Sequence, residues 1–317
     1  MKQPRVGVLI VAYGSPPSMD DEAIWEYLQH ILQYYRKTDP ESEEFEDLKQ
    51  RYEAIGGSPL YSITEDIVQA VQSNLDEKFP GSFRAYLGMK HSPPFIEDVV
   101  SQMVEEGVSQ AVTVALAPFR SRFSTDGYYQ MVQETSDRAD NAIEWSFVDD
   151  WNLHPFFLKL WQTRIEAALS SNEGAATVVF TNHSLPERIR SWQDPYPQQF
   201  EATARALARD CQLRGWAVAY QSRGGGDQSW LGPDLLEILG QYEVQDNPSV
   251  LIAPIGFLMD HLEVLYDLDV QAFLAAKKMG ITLQRTAMPN SDPLFIEMLV
   301  DVILKATEKK GLAQHIS

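Results

Sequence analysis

Eight short apolar runs recur along this chain, at residues 6–13, 83–88, 111–117, 143–148, 176–181, 217–221, 250–254 and 281–285. Between them lie amphipathic stretches, among them 64–78, 94–106, 156–169, 200–213, 233–241 and 260–278. Strands that alternate with helices predict parallel sheets, because a parallel partner is reached through a crossover whose helix covers a face of the sheet. Strands covered on both faces are apolar throughout rather than every second residue, which is how the run at 6–12 reads. Four runs precede Asp149-Asp150-Trp151 and four follow, so the expected fold is α/β: two similar lobes, each a four-stranded parallel sheet flanked by helices. A length of 317 residues suits two domains of ~150 residues each. The expected partition is 1–150 together with 288–317, which brings the final helix back to the first lobe, and 151–287 as the second lobe.

Charge and cysteine content narrow the function classes. Forty-five acidic residues against 26 basic ones give a formal charge of −19, a field that repels nucleic acid and anionic membrane and attracts cations. The single cysteine, Cys211, forms no internal disulfide and cannot supply the thiolates of an iron–sulfur cluster or a structural zinc site. Metal chemistry here must use nitrogen and oxygen ligands. The run at 6–12 follows Lys2 and Arg5 as a signal peptide core would, but it is short and enters Gly14-Ser15-Pro16-Pro17 without a small-x-small cleavage site, so it reads as a buried strand. No stretch approaches the ~20 apolar residues of a membrane span, and a cytoplasmic location is expected.

In parallel α/β sheets ligands bind beyond the carboxyl ends of the strands, so the residues just after each run come first. Tyr13 ends the first run, ahead of a turn-forming sequence. His183 follows the fifth run within Thr181-Asn182-His183-Ser184-Leu185-Pro186. An isolated histidine is more often structural than catalytic, and the strand-end position is what singles this one out. After the seventh run and Gly256, a helix from Asp260 would put Asp260, Glu263 and Asp267 on one face, with Asp260 placed to cap it. The alternative is a solvated acidic face; against it, Leu262, Val264, Leu265 and Tyr266 are interleaved with these acids, and buried carboxylates need a cationic partner. The segments 51–60 and 117–128 offer Arg and Ser donors on Gly-containing turns that could receive a carboxylate or could be ordinary surface loops. Neither they nor Gly224-Gly225-Gly226 match a nucleotide phosphate loop.

Taken together, Ala12-Tyr13-Gly14, the segment 51–60, Lys90-His91 with Pro94-Phe95-Ile96-Glu97-Asp98, His183-Ser184-Leu185-Pro186, Asp194-Pro195-Tyr196-Pro197, Gln221-Ser222-Arg223, Trp230-Leu231-Gly232-Pro233 and the segment 256–267 resemble the ferrochelatases, in particular the bacterial type that metallates coproporphyrin III. The resemblance covers nearly the whole chain, with the motifs in the family's order. It implies two Rossmann-like lobes, the chelatase fold, around a porphyrin cleft, with His183 and Glu263 at the metal site. It further implies that Tyr13 faces the metal from the other side of the macrocycle, that Arg51, Tyr52, Ser58 and Tyr128 contact the porphyrin and its propionates, and that Lys90, His91 and Trp230 line the cleft wall. Two departures from the family's pattern are Leu32-Gln33, where a basic pair is expected, with Arg36 and Lys37 a turn later, and Gln271, where an acidic residue is expected.

Metallation removes two pyrrole protons, strips water from iron and bends the ring. A neutral imidazole can accept a proton near pH 7 and a carboxylate beside it can fix its tautomer and stabilise the imidazolium, which makes His183 the expected proton acceptor and Glu263 its assistant. Asp267, a turn further on, could relay Fe2+ or protons. On this reading Fe2+ is a substrate, there is no permanent cofactor, and the partners are coproporphyrin III and iron, with transient contact to neighbouring haem-pathway enzymes and a monomeric chain. Alternatives are insertion of iron into protoporphyrin IX, a cobalt or nickel chelatase, and a non-catalytic tetrapyrrole- or solute-binding protein.

Overall fold

The computed structural model describes residues 6–139, 143–148, 150–171, 176–225, 228–242 and 248–309. Lys2, Arg5, Asp149 and Gly226, and both ends of the expected first lobe, lie outside the described residues. The chain divides into two compact units, one of residues 1–116, 124–149 and 290–317 and one of residues 117–123 and 150–289.

The first unit carries β1 (Val6–Ala12), α1 (Asp21–Tyr35), α2 (Ser42–Ile55), α3 (Leu60–Lys78), β2 (Phe83–Met89), α4 (Ile96–Glu105), β3 (Gln110–Ala115), α5 (Thr125–Asp137) and β4 (Glu144–Phe147). The second carries α6 (Pro155–Ser170), β5 (Thr177–His183), α7 (Tyr196–Asp210), β6 (Trp216–Gln221), α8 (Leu235–Gly240), β7 (Ser249–Ala253), α9 (Leu262–Leu265), α10 (Phe273–Lys278) and β8 (Thr282–Arg285). The last helix, α11 (Pro293–Lys309), belongs to the first unit, where it packs on α3, β3 and β4 and its Ala306 carbonyl accepts from Ser146 Oγ at 3.0 Å.

The sheets have the orders β2-β1-β3-β4 and β6-β5-β7-β8, with every pairing parallel. The second order is the first repeated, strand for strand, although no residue-level repeat shows in the sequence. All seven residues of β1 are buried, as a central strand covered on both faces requires. In each sheet the chain leaves the first strand to one side (β2, β6) and later returns on the other (β3, β7). That reversal is a topological switch point, and the crevice beyond the carboxyl ends of β1 and β3, or of β5 and β7, is where such sheets take ligands.

The segment 117–123, which the sequence reading places in the first lobe, packs with the second unit. Its anchor is Asp194, 2% exposed, whose carboxylate accepts from Ser121 Oγ (3.1 Å) and from the Arg122 amide (2.9 Å). A carboxylate so deeply buried needs donors, and this loop supplies them.

Among the described residues no helix is long and apolar enough to cross a membrane. The half-buried Cys211 thiol is pushed up to about 11 by burial and by the nearby Glu166 and Asp210 carboxylates. At pH 8 roughly one thiol in a thousand is then ionised, and Cys211 in the folded protein is expected to react with a thiolate-directed disulfide reagent at least about tenfold more slowly than free cysteine. Labelling at the rate of the free amino acid would contradict this environment.

Candidate active site

Three parallel strands of the second unit end side by side: β5 at His183, β6 at Gln221 and β7 at Ala253. The backbone continues from β7 into a turn at Gly256, whose amide donates to the Thr181 carbonyl at 3.1 Å. Glycine is required there by close approach: a Cβ would lie 2.6 Å from Asn182 Cγ and 2.8 Å from Asn182 Cα. The turn leads into α9, whose first turn carries Glu263 to His183. His183 Nε2 stands 3.1 Å from Glu263 Oε1, and each side chain is 31% exposed, so the pair is open to a ligand.

The surroundings fix this pair. Asn182 Oδ1 accepts from the His183 amide (2.9 Å) and from the Tyr196 hydroxyl (2.8 Å), and Tyr196 Oη also lies 3.0 Å from the His183 carbonyl. Gln221 accepts from Thr181 Oγ1 at 2.7 Å and donates to the Glu263 carbonyl at 2.8 Å, tying the backbone of α9 to the strand ends. His261 Nε2 lies 3.6 Å from Glu263 Oε2, and its Nδ1 lies 2.9 Å from the Met259 carbonyl.

Burial disfavours the imidazolium of His183, but the charge of the Glu263 carboxylate and its hydrogen bond outweigh it and raise His183 above its ordinary value. Burial likewise works against ionised Glu263, and the two histidines beside it more than compensate, holding its carboxyl well below the usual range. His183 Nδ1 is buried and has no hydrogen-bond partner among the described residues. The Nε2 edge facing Glu263 is therefore where a proton can be exchanged. That edge and the carboxylate form a nitrogen–oxygen donor set suited to a borderline divalent ion such as Fe2+. Among the described residues no group of three or more His, Cys, Asp or Glu side chains is placed to hold a metal ion.

The helix expected from Asp260 starts later and is interrupted. His261, in extended conformation, rather than Asp260 is the residue that precedes α9; Asp260 lies 3.4 Å from the Arg285 guanidinium, which is also paired with Asp269 at 2.7 Å. A π turn over Asp267–Ala272, marked by the Gln271 amide reaching back to the Tyr266 carbonyl at 2.9 Å, separates α9 from α10. The three carboxylates expected on one face go to three different partners, with Asp267, 7% exposed, taking the hydroxyl of Ser222.

In the first unit, Tyr13 is 38% exposed at the end of β1 and its ring lies 4.5 Å from that of His91. His91 Nδ1 is 3.0 Å from His30 Nδ1. Lys90, 1% exposed, sits in an aromatic box, with Nζ 3.0 Å from the Tyr35 hydroxyl and 4.1, 5.0 and 5.5 Å from the ring centroids of Tyr34, Tyr35 and Tyr128. Burial brings the Lys90 ammonium down to about 8, against the opposing charge of Glu97. Tyr128 and Tyr52 are buried at 5% and 2%, Arg51 lies in α2, and Ser58 Oγ accepts the Leu60 amide at the start of α3 (3.3 Å). Tyr13, Tyr128, Lys90 and His91 are thus brought into one cluster. Where the basic pair was expected, Leu32 is in the core and Gln33 donates to Asp39 (2.8 Å), while Arg36 pairs with Glu44 at 2.7 Å.

Sequence reasoning passed over His30, Tyr34 and Tyr35, although the four-residue spacing of His30 and Tyr34 puts them on one helix face. It also left Asn182, Tyr196 and Gln221 without a role, and these hold His183 and Glu263.

A ferrochelatase family model matches residues 5–307. A protein of Halalkalibacterium halodurans named coproporphyrin III ferrochelatase is 40% identical over 315 residues, covering 98% of this chain and 100% of its own length. A ferrochelatase of Herpetosiphon aurantiacus is 36% identical, covering 94% of this chain and 98% of its own. Among solved structures, SirB from Bacillus subtilis with Fe3+ superposes with a TM-score of 0.63 at 11% identity, over 98% of this chain and 99% of that one, a likeness of fold.

Proposed function

The chain belongs to the ferrochelatase family and is a metal chelatase of haem biosynthesis, and on that premise we propose that it inserts ferrous iron into coproporphyrin III, with His183 accepting pyrrole protons and Glu263 assisting. The observation that carries the residue assignment is the 3.1 Å contact of His183 Nε2 with Glu263 Oε1 at the strand ends of the switch point. Supporting the substrate is the coproporphyrin III ferrochelatase of H. halodurans, similar along the whole chain.

Insertion exchanges two pyrrole protons for one Fe2+, so the site must take protons and offer the ion transient ligands. Neutral His183, with its proton on Nδ1, accepts a pyrrole proton at Nε2, and Glu263, held ionised, accepts the hydrogen bond of the Nε2–H so formed and stabilises the imidazolium. The same carboxylate and imidazole are hard and borderline donors able to replace water on Fe2+ without retaining it. Asp267, bonded to Ser222, is the next carboxylate along the chain and would pass protons or iron onward. Tyr13, Arg51, Tyr52, Ser58 and Tyr128 are the proposed contacts to the porphyrin. Iron is substrate here, and the proposal uses no resident cofactor.

Turnover should rise with pH through the raised value of His183, because only neutral imidazole accepts a proton. In Glu263→Gln the charge that raises His183 is gone and burial is left to lower it, so the rising limb moves to lower pH while the rate at its plateau falls. A limb that stays in place or moves to higher pH would show that Glu263 does not set the basicity of His183.

Anaerobic steady-state assays with coproporphyrin III and protoporphyrin IX in parallel test the substrate. A higher kcat/KM for coproporphyrin III is expected; a higher value for protoporphyrin IX would reassign it.

A further inference from the structure

Arg122 and Arg188 are exposed arginines of the second unit, in a chain with 45 acidic residues, yet neither has an ion pair or hydrogen-bonded side-chain partner among the described residues. They lie instead over aromatic rings. Arg122 Cζ lies 5.7 Å from the ring centroid of Trp192, and Arg188 Cζ lies 5.2 Å from that of Phe123 and 5.6 Å from that of Trp192. The two rings are 5.5 Å apart and inclined by 34°, and Trp192 is 37% exposed. This platform is built rather than incidental. Buried Asp194 holds the Arg122 amide and Ser121 Oγ, Ser121 Oγ accepts from the Phe123 amide at 3.2 Å, and Asp194 Oδ1 accepts from the Tyr196 amide at 3.1 Å. The short 3-10 turn Glu187–Trp192, which bears Arg188 and Trp192, leaves the carboxyl end of β5 directly after His183-Ser184-Leu185-Pro186.

Resting on the porphyrin reading above, we infer that Arg122 and Arg188 form a carboxylate-binding subsite that favours the porphyrin with more propionates. A guanidinium held over a ring makes no hydrogen bond to it and leaves its N–H donors for a ligand, and the guanidinium fork matches a carboxylate in a bidentate pair. The exposed part of Trp192 would meet the apolar, planar body to which the carboxylate is attached. An anionic group on a flat hydrophobic ring satisfies both features at once; a free inorganic anion satisfies only the first. Coproporphyrin III has four propionates and protoporphyrin IX two, so the subsite discriminates between them where contacts common to both cannot.

The test is equilibrium binding of each porphyrin without iron, by quenching of porphyrin fluorescence, to the wild-type protein and to Arg122→Gln/Arg188→Gln. Both side chains are exposed, and an unchanged thermal midpoint verifies that the variant is folded. The ratio of Kd for coproporphyrin III to Kd for protoporphyrin IX is expected to rise about two- to fivefold in the variant, the scale of one charge pair at an exposed site. In Arg122→Lys/Arg188→Lys, which keeps the charges and loses the fork, the ratio should fall between the two. An unchanged ratio in both variants overturns the subsite. Because iron is left out, failure of the subsite is distinguished from failure of metallation: a wild-type protein that binds porphyrin but does not metallate it tells against the enzyme reading and leaves the Kd ratio readable.

Discussion

In His183→Ala, metallation is expected to fall by about 10²- to 10⁴-fold, the range general-base catalysis supplies, with porphyrin affinity largely kept. The loss follows from the geometry of the second unit. Nδ1 of His183 is closed off, and Nε2 is the edge that meets Glu263 and is open to a ligand. Removing the ring also leaves the Glu263 carboxylate with His261, at 3.6 Å, as its remaining histidine partner. Single-turnover absorbance measures the rate and fluorescence titration the affinity. Near-normal turnover would remove His183 from the chemistry, and loss of porphyrin binding in parallel with turnover would make it a binding residue.

A methyl group at position 256 should be nearly as damaging, without touching any group that exchanges protons. A Cβ there would lie 2.8 Å from the Asn182 backbone and 2.6 Å from its side-chain carbon, and backbone cannot rotate away. Overpacking of this kind costs about 3 kcal/mol, which corresponds to a fall of roughly 6–12 °C in the thermal midpoint for domains of this size. Asn182 also positions the His183 amide and the Tyr196 hydroxyl, so a displaced Asn182 carries the imidazole with it. A shift of about 1 Å at a reacting group can lower the rate by about 10²-fold. Gly256→Ala is therefore expected to be destabilised and, assayed well below its midpoint, still slow. A variant with the wild-type midpoint and turnover would show that the close approach of Gly256 to Asn182 is not part of the working site.

The architecture was legible because parallel strands covered on both faces leave unbroken apolar runs, and all eight runs correspond to strands. Strand-end logic also singled out His183 and Tyr13. Less legible was the stretch after β7: 3.6-residue periodicity carries no sign of a π turn, so Asp260, Glu263 and Asp267 read as one face when the backbone sends them to Arg285, His183 and Ser222. The supporting residues were hidden for another reason. Asn182, Tyr196 and Gln221 come from three elements and act through hydrogen bonds between neighbouring strand ends, which sequence order does not reveal. Nor does composition indicate that Asp194, in a turn between two prolines and a glutamine, captures the loop at 121–122 from a distant part of the chain.

The central claim is that this chain carries out proton-coupled metallation through the His183–Glu263 pair. Anaerobic mixing of Fe2+ with coproporphyrin III bound to the wild-type protein or to His183→Ala, followed by the change from free-base to metalloporphyrin visible bands and by a pH indicator in weak buffer, tests it most directly. The account predicts iron-coproporphyrin with two protons released per iron in the wild-type protein, and porphyrin that is bound but remains free base in the variant. Bound porphyrin that stays free base in the wild-type protein, or equal rates in the two proteins, would contradict it.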